Sequence, residues 1–376
     1  MRQPSKGAFD LTPDRRARLE RRLRESGGRP PTEAERIGSH ARGSRCAPLS
    51  FAQERLWFLA QLEPRNPFYN VASFIPLSFA VDVEALHRSL NEIVRRHEVL
   101  RTTFTTIDGE PKQSVQEARS LALPLADLER LPKSGREVEL QRLATEEARR
   151  PFDLTRDLPV RATLVRLGPE NYHLLLTMHH IVWDGWSASV FSSELTTLYE
   201  AFTERRSSPL PELGIQYADF AAWQRQAISG ERLEALLAYW RKQLAGLSQL
   251  KLPTDHPRPA QATHRGAFQS FAIPRAVSES VQSLARNTGV TQFMLLAAAF
   301  DALLHRYTGQ VDIVIGTPIA NRTIAQTEPL IGFFVNTLVL RTDLSGDPTF
   351  VELMARVKAV ALQAYAHQDL PFERLV

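Results

Sequence analysis

The sequence predicts two lobes, each an α/β or α+β sandwich. Three observations predict this. The chain has 376 residues, more than a single hydrophobic core usually serves. Helical and strand-like patterns alternate along it instead of segregating. Its composition, 43% hydrophobic and 23% charged, is that of an ordinary globular protein with ample core material. We divide it into a basic leader (1–47), a first lobe (48–226) and a second lobe (227–376).

In the leader, Thr12 suits a cap and Pro13 the first helical position, with Leu19 and Leu23 four apart before Gly27 and Gly28, which predicts a short helix over 12–25. The Gly, Pro, Ser and Arg run from 26 to 47 lacks apolar period and reads as a tether. Leu86, Leu90, Ile93, Val94 and His97 follow amphipathic helical spacing. Residues 100–105 are β-rich and end at the turn pair Asp108-Gly109, and periodicity predicts a helix over 136–150 closed by Pro151. Residues 160–167 and 172–178, joined by Gly168-Pro169-Glu170-Asn171, read as a hairpin. Phe191, Leu195, Leu198 and Phe202 mark the next helix, and another covers 231–247. The proline-rich stretch 252–259 is the best candidate for a crossover between lobes. Beyond it the patterns predict strands at 267–273, 311–315 and 336–341, and helices at 277–286, 291–306 and 350–367.

Several function classes fall away at once. The leader holds 12 lysines and arginines against 6 acids, so of the total +4 the remainder carries −2. A near-neutral body without a basic, aromatic-laced face argues against nucleic-acid binding. The longest apolar run, 293–300, is too short to span a bilayer. No signal-like segment opens the chain. The single cysteine, Cys46, excludes an internal disulfide and a zinc knuckle; together these point to the cytoplasm and away from membranes. Neither a dinucleotide fingerprint, a phosphate-binding loop nor a G-x-S-x-G elbow is present.

Of ten histidines, only His179 and His180 stand at a strand end beside a loop carrying an acid, Asp184, and a glycine, Gly185. Neighbours on a strand face opposite sides, so one imidazole can enter a cleft while the other packs into the body. The same geometry disfavours a shared metal ion, since two diverging rings cannot converge on it. Asp184 can orient the loop, or pair with an arginine. A pair of satisfied histidines near a strand terminus is the plainer reading of the dipeptide alone.

The longer pattern decides otherwise. His179-His180-Ile181-Val182-Trp183-Asp184-Gly185 resembles the HHxxxDG signature of condensation domains in nonribosomal peptide synthetases, shared with the chloramphenicol acetyltransferase superfamily. Five further segments are similar to that family's motifs, in order: 48–59, 96–104, 217–224, 331–341 and 367–373. The resemblance implies two chloramphenicol-acetyltransferase-like lobes forming a V with a central tunnel. The family's second lobe normally runs on past the 367–373 segment, so with Val376 last the resemblance implies an incomplete second lobe.

It implies amide-bond formation between an acyl or peptidyl thioester and an aminoacyl thioester. Each rides on the phosphopantetheine arm of a donor or acceptor carrier protein; an adenylation domain is a further partner, and the domain itself binds no cofactor or metal. An α-amine with a pKa of about 8 needs help to become a nucleophile near neutrality, and a histidine can take or share its proton. By resemblance His180 has that role, as base or as positioning group. His179 has packing and backbone support, and Gly185 offers a backbone N–H near the thioester oxygen. Asp184 pairs with Arg96, Arg101 is a second ion-pair member and Trp186 supports the site by packing. Ser50 and Asn336 are candidates for the tunnel wall, against the plainer reading as ladder partners. His179 in place of an aspartate speaks against heterocyclisation. The opening motif most resembles members joining L-residues to L-residues, with a starter role open. The rivals are a non-catalytic recruitment module and a free-standing coenzyme A-dependent acyltransferase.

Overall fold

The structure, a computed structural model, describes residues 36–38, 46–257, 266–267 and 269–375. The expected leader helix over 12–25 lies outside the described residues. The chain divides into two compact units: 1–226 with 322–334, and 227–321 with 335–376. Residues 322–334 thus belong to the first unit although they fall late in the sequence. The proline-rich stretch expected to cross between lobes lies inside the second unit; the divisions fall at 226/227, 321/322 and 334/335. Proline marks where regular structure stops, not where the chain changes unit.

In the first unit, β1 (Cys46–Pro48) leads to α1 (Phe51–Leu62), β2 (Asn70–Leu77), α2 (Val83–Arg96), β3 (Thr102–Ile107) and β4 (Glu110–Val115). Then come β5 (Leu125–Asp127), α3 (Lys133–Arg149), the hairpin β6 (Val160–Gly168) and β7 (Asn171–His179), α4 (Gly185–Thr203) and α5 (Tyr217–Ala227). Four strands form a sheet in the order β2-β7-β6-β5, antiparallel except for β5 with β6, and a second sheet runs β1-β4-β3. β7 is central, and Leu174, Leu175, Leu176 and Met178 are all buried. Such a strand, covered on both faces, reads as a continuous apolar run. Its last residue is His179, which pairs with Asn70 at the end of the ladder.

α2 shows why periodicity located it well. Asp82 caps it by accepting from Ala85 N, Leu86, Leu90, Ile93 and Val94 are buried on one face, and Arg95 and Arg96 occupy its last turn, where cations suit the helix dipole.

The second unit holds α6 (Gly230–Gln243), α7 (Arg275–Asn287), α8 (Gln292–Thr308), β8 (Asp312–Ile319), β9 (Asn336–Asp343) and α9 (Phe350–Ala366). β8 and β9 pair antiparallel. Met294, Ala298, Leu304, Ile313, Leu353, Met354, Val357 and Ala361 form its core. The strand expected at 267–273 is absent among the described residues there, and Phe271 is 84% exposed. Its β-favouring composition finds no neighbouring ladder, and an unpaired strand leaves its backbone groups unsatisfied. Among the described residues, no single helix is long and apolar enough to cross a membrane.

Candidate active site

β7 ends at His179 and the chain passes through a short 3₁₀ turn, His180–Val182, before α4 begins. The two histidines therefore diverge by a change of backbone as well as by strand alternation. His179 is 5% exposed, and its Nδ1 accepts from Ile181 N at 3.1 Å. The proton then sits on Nε2. Its ring meets the edge of Phe152 at 6.0 Å and lies 6.3 Å from Tyr69. Burial, reinforced by neighbouring His180 and Arg161, pulls its pKa down to about 3, so the ring is neutral at working pH.

His180 is only half-buried, and its Nδ1 lies 2.6 Å from the carbonyl oxygen of Trp183. A carbonyl only accepts, so Nδ1–H donates, and in the neutral ring Nε2 is the nitrogen that keeps a free lone pair. Phe333 meets the imidazole edge-on at a centroid distance of 4.9 Å. The ring is thus held in tautomer and orientation by a backbone carbonyl and an aromatic edge.

Asp184 is fully buried and accepts from three residues. Oδ1 accepts from Ser187 N (2.8 Å), Ser187 Oγ (2.7 Å) and Arg322 Nη2 (3.1 Å). Oδ2 accepts from Phe334 N (3.0 Å) and Arg322 Nη2 (3.3 Å). The aspartate is the N-cap of α4, a position that favours a carboxylate. Its cation is Arg322, not Arg96 as expected. The Arg322 side chain is 1% exposed, its Nη1 donates to the carbonyls of Thr327 and Leu330, and its guanidinium stacks 4.0 Å from the Phe334 ring centre. Burial draws its pKa down against the opposing pull of Asp184, but guanidinium stays charged.

Arg96 instead grips Glu194 through Nη2 (3.0 Å) and Nε (3.3 Å), and His97 Nε2 lies 3.0 Å from the same carboxylate. The reason is helical geometry. α2 packs along α4, and Glu194 is ten residues beyond Asp184, roughly 15 Å down the axis. Burial pushes the Glu194 carboxyl up, but His97 and Arg96 outweigh it and hold it below its ordinary value. His97 Nδ1 accepts from Ile331 N at 3.2 Å, which fixes its tautomer too.

The segment 322–334 is the missing half of the site. Gly332 N donates to Ser187 Oγ (3.0 Å), Tyr217 Oη donates to Phe333 O (2.6 Å), and Trp186 Nε1 donates to Glu328 O (2.9 Å). A Cβ on Gly332 would collide with Cδ2 and Cε2 of Tyr217, so the backbone approach there demands glycine. Gly185 is the opposite case. It is exposed, opens α4 with its N–H unpaired inside the helix, and a Cβ there would meet nothing within 4 Å.

The other expected residues land elsewhere. Ser50 is buried, caps α1 through a capping box with Gln53, and donates its hydroxyl to Tyr217 Oη (2.8 Å); it is a brace, not an open wall. Asn336 is 5% exposed, and its amide donates to the carbonyls of Gln368 and Leu370 and accepts from Phe372 N. It ties β9 to the 367–373 loop, and its polar atoms are spent within the second unit. Arg101 pairs with Glu98 at 3.1 Å and donates to Gln116 O, apart from Asp184's partners. Sequence reasoning missed Arg322, Glu194 and Phe333. The signal for Arg322 was slight: one arginine in a polar loop, nine residues before Ile331. Among the described residues, no group of three or more His, Cys, Asp or Glu is placed to hold a metal ion.

Residues 44–376 match the family model for the condensation domain. The chain is 52% identical over 330 residues to one of the linear gramicidin synthase proteins of Brevibacillus parabrevis, covering 88% of this chain and 4% of that much longer protein. Among solved structures it resembles the X-domain in its complex with OxyB from teicoplanin biosynthesis, with 32% identity and TM-score 0.79 over 93% of this chain and 75% of that one. It also resembles the first condensation domain of the calcium-dependent antibiotic synthetase, with 25% identity and TM-score 0.75 over 88% of this chain and 77% of that one. An ordered imidazole, a buried acid that caps the helix after it and a matching family model agree: the chain belongs to the condensation-domain family of nonribosomal peptide synthetases.

Proposed function

We propose that this chain forms an amide bond between an acyl or peptidyl thioester and the amino group of an aminoacyl thioester. Both substrates ride on phosphopantetheine arms of carrier proteins, with an adenylation domain as further partner and the cytoplasm as setting. The domain contributes no cofactor of its own; the arm belongs to the substrate. One observation carries the reading: Nδ1–H of His180 is committed to Trp183 O, so Nε2 is left as acceptor on a half-buried ring.

The step balances on that nitrogen. The amine attacks the thioester carbonyl and gives a proton to Nε2 of His180. The new C–N bond forms as the C–S bond breaks, and the departing thiolate takes the proton back. His179, neutral and buried, serves the backbone of the turn. The Asp184–Arg322 pair holds the loop that presents His180, and Gly185, at the opening of α4, offers its N–H to the thioester oxygen.

A recruitment module is the second reading, favoured by the likeness to an X-domain solved in complex with OxyB. One assay separates the readings. The chain is incubated with acyl-loaded and aminoacyl-loaded carrier proteins, and product mass is followed. Carrier-dependent amide that His180→Ala abolishes supports the proposal. Turnover of acyl-coenzyme A supports a free acyltransferase, and tight protein binding with no product supports the module.

A further inference from the structure

The leader reads as a tether, yet one point of it is gripped. Ile37 is 3% exposed, its N–H donates to Gln326 Oε1 at 3.1 Å, and its carbonyl accepts from Gln326 Nε2 at 3.0 Å. A primary amide is the side chain that sets a donor and an acceptor side by side, so Gln326 holds both polar groups of one residue, as a strand neighbour would. Ile37 lies outside the residues matched by the family model, 44–376.

Gln326 sits in the 3₁₀ turn Ala325–Thr327, within the segment that completes the site. Thr327 is buried, and its carbonyl, with that of Leu330, receives Arg322 Nη1. Arg322 holds Asp184, Asp184 receives Phe334 N, and Phe333 rests edge-on against His180. From Ile37 to the imidazole each link is a named contact or a peptide neighbour (Gln326 to Thr327, Phe334 to Phe333), all within the first unit. We infer that residues 36–38, held at Ile37, are a positioning strap for the catalytic loop, and that Gln326 is the positioning residue through which they act. The strap rests on geometry alone; its kinetic consequence rests on the reaction proposed above.

The test uses the full chain with Gln326→Glu, Ile37→Pro and the double substitution. Gln326→Glu keeps the shape but sets a carboxylate against the Ile37 carbonyl, and Ile37→Pro removes the N–H. Amide exchange followed by mass spectrometry should rise about ten- to hundredfold at residues 331–334 in either single variant, the range expected for losing one or two ordinary hydrogen bonds. Exchange along β7 should not change. The double variant should exceed neither single by more than a fewfold, because one clamp is lost only once. In the condensation assay kcat should fall while KM for both carriers holds. Unchanged exchange at 331–334, or a double effect equal to the product of the singles, overturns the strap. An inactive wild-type chain overturns the assigned reaction instead, and the exchange result stands independently.

Discussion

Asp184 and Arg322 are 138 positions apart in sequence and 3.1 Å apart in the fold, both side chains closed off from solvent. The contact joins the turn carrying His180 to a segment that arrives only after most of the second unit has been threaded. A buried pair of this kind adds little net stability when intact, because desolvating two ions offsets their attraction. Its strength shows when one partner is removed.

Arg322→Ala and Asp184→Ala should each cost about 3–5 kcal/mol, the range for stranding one buried charge. Denaturant unfolding checks this. The double substitution should cost well below the sum, since no charge is then stranded. Arg96→Ala should behave as an independent lesion centred on Glu194, additive with Asp184→Ala. Additivity of Arg322→Ala with Asp184→Ala, or coupling of Arg96→Ala to it, would contradict this pairing.

Two glycines should part company. Gly332→Ala drives a methyl into the Tyr217 ring and should destabilise by roughly 1–3 kcal/mol or more through backbone displacement. Gly185→Ala meets open space and should leave unfolding within about 0.5 kcal/mol of wild type. Activity lost in a stable Gly185→Ala variant then reports on the substrate and not on the fold.

His179 should make the first unit acid-sensitive. Its folded pKa is lowered to about 3, whereas in the unfolded chain it is near 6.5. The unfolded state therefore binds the proton first. Its contribution is fully present above about 6.5 and is lost as pH falls toward 3, at about 1.4 kcal/mol per unit. His179→Leu should remove that share of the slope; an unchanged pH profile would show that the ring is not buried neutral.

Asp301 runs the other way. It is 1% exposed on α8, and neither carboxylate oxygen has a well-aligned hydrogen-bond partner among the described residues. Burial, only partly offset by the nearby Thr342 hydroxyl, pushes its pKa up to about 6. The folded state favours the protonated acid. Its contribution is present below about 3.9 and is lost as pH rises through about 6, by about 3 kcal/mol in all. Asp301→Asn should therefore raise the stability of the second unit at pH 8 and have little effect near pH 4. Thermal unfolding at the two pH values checks the sign.

Much of the fold was legible because its signals are local. Helical spacing located α2, α8 and α9, and turn residues located the β6–β7 hairpin, since burial of one face leaves a period in the sequence. The strand expected at 267–273 failed for a non-local reason: its residues favour a ladder, but none of the described strands lies beside it. The site divides along the same line. His179, His180, Asp184 and Gly185 are nearly contiguous, so their motif could be read directly. Chain order alone determined that two imidazoles stand at a strand end beside a loop carrying an acid and a glycine; that the strand is buried and that the acid caps the next helix emerged only from the fold. Which ring nitrogen is free, which arginine answers Asp184, and that Ser50 and Asn336 act as braces were settled by tertiary structure. Each depends on a hydrogen bond that only the folded backbone sets up, most of them between residues far apart in the chain. A partner's distance in space leaves no period, spacing or composition for the sequence to display.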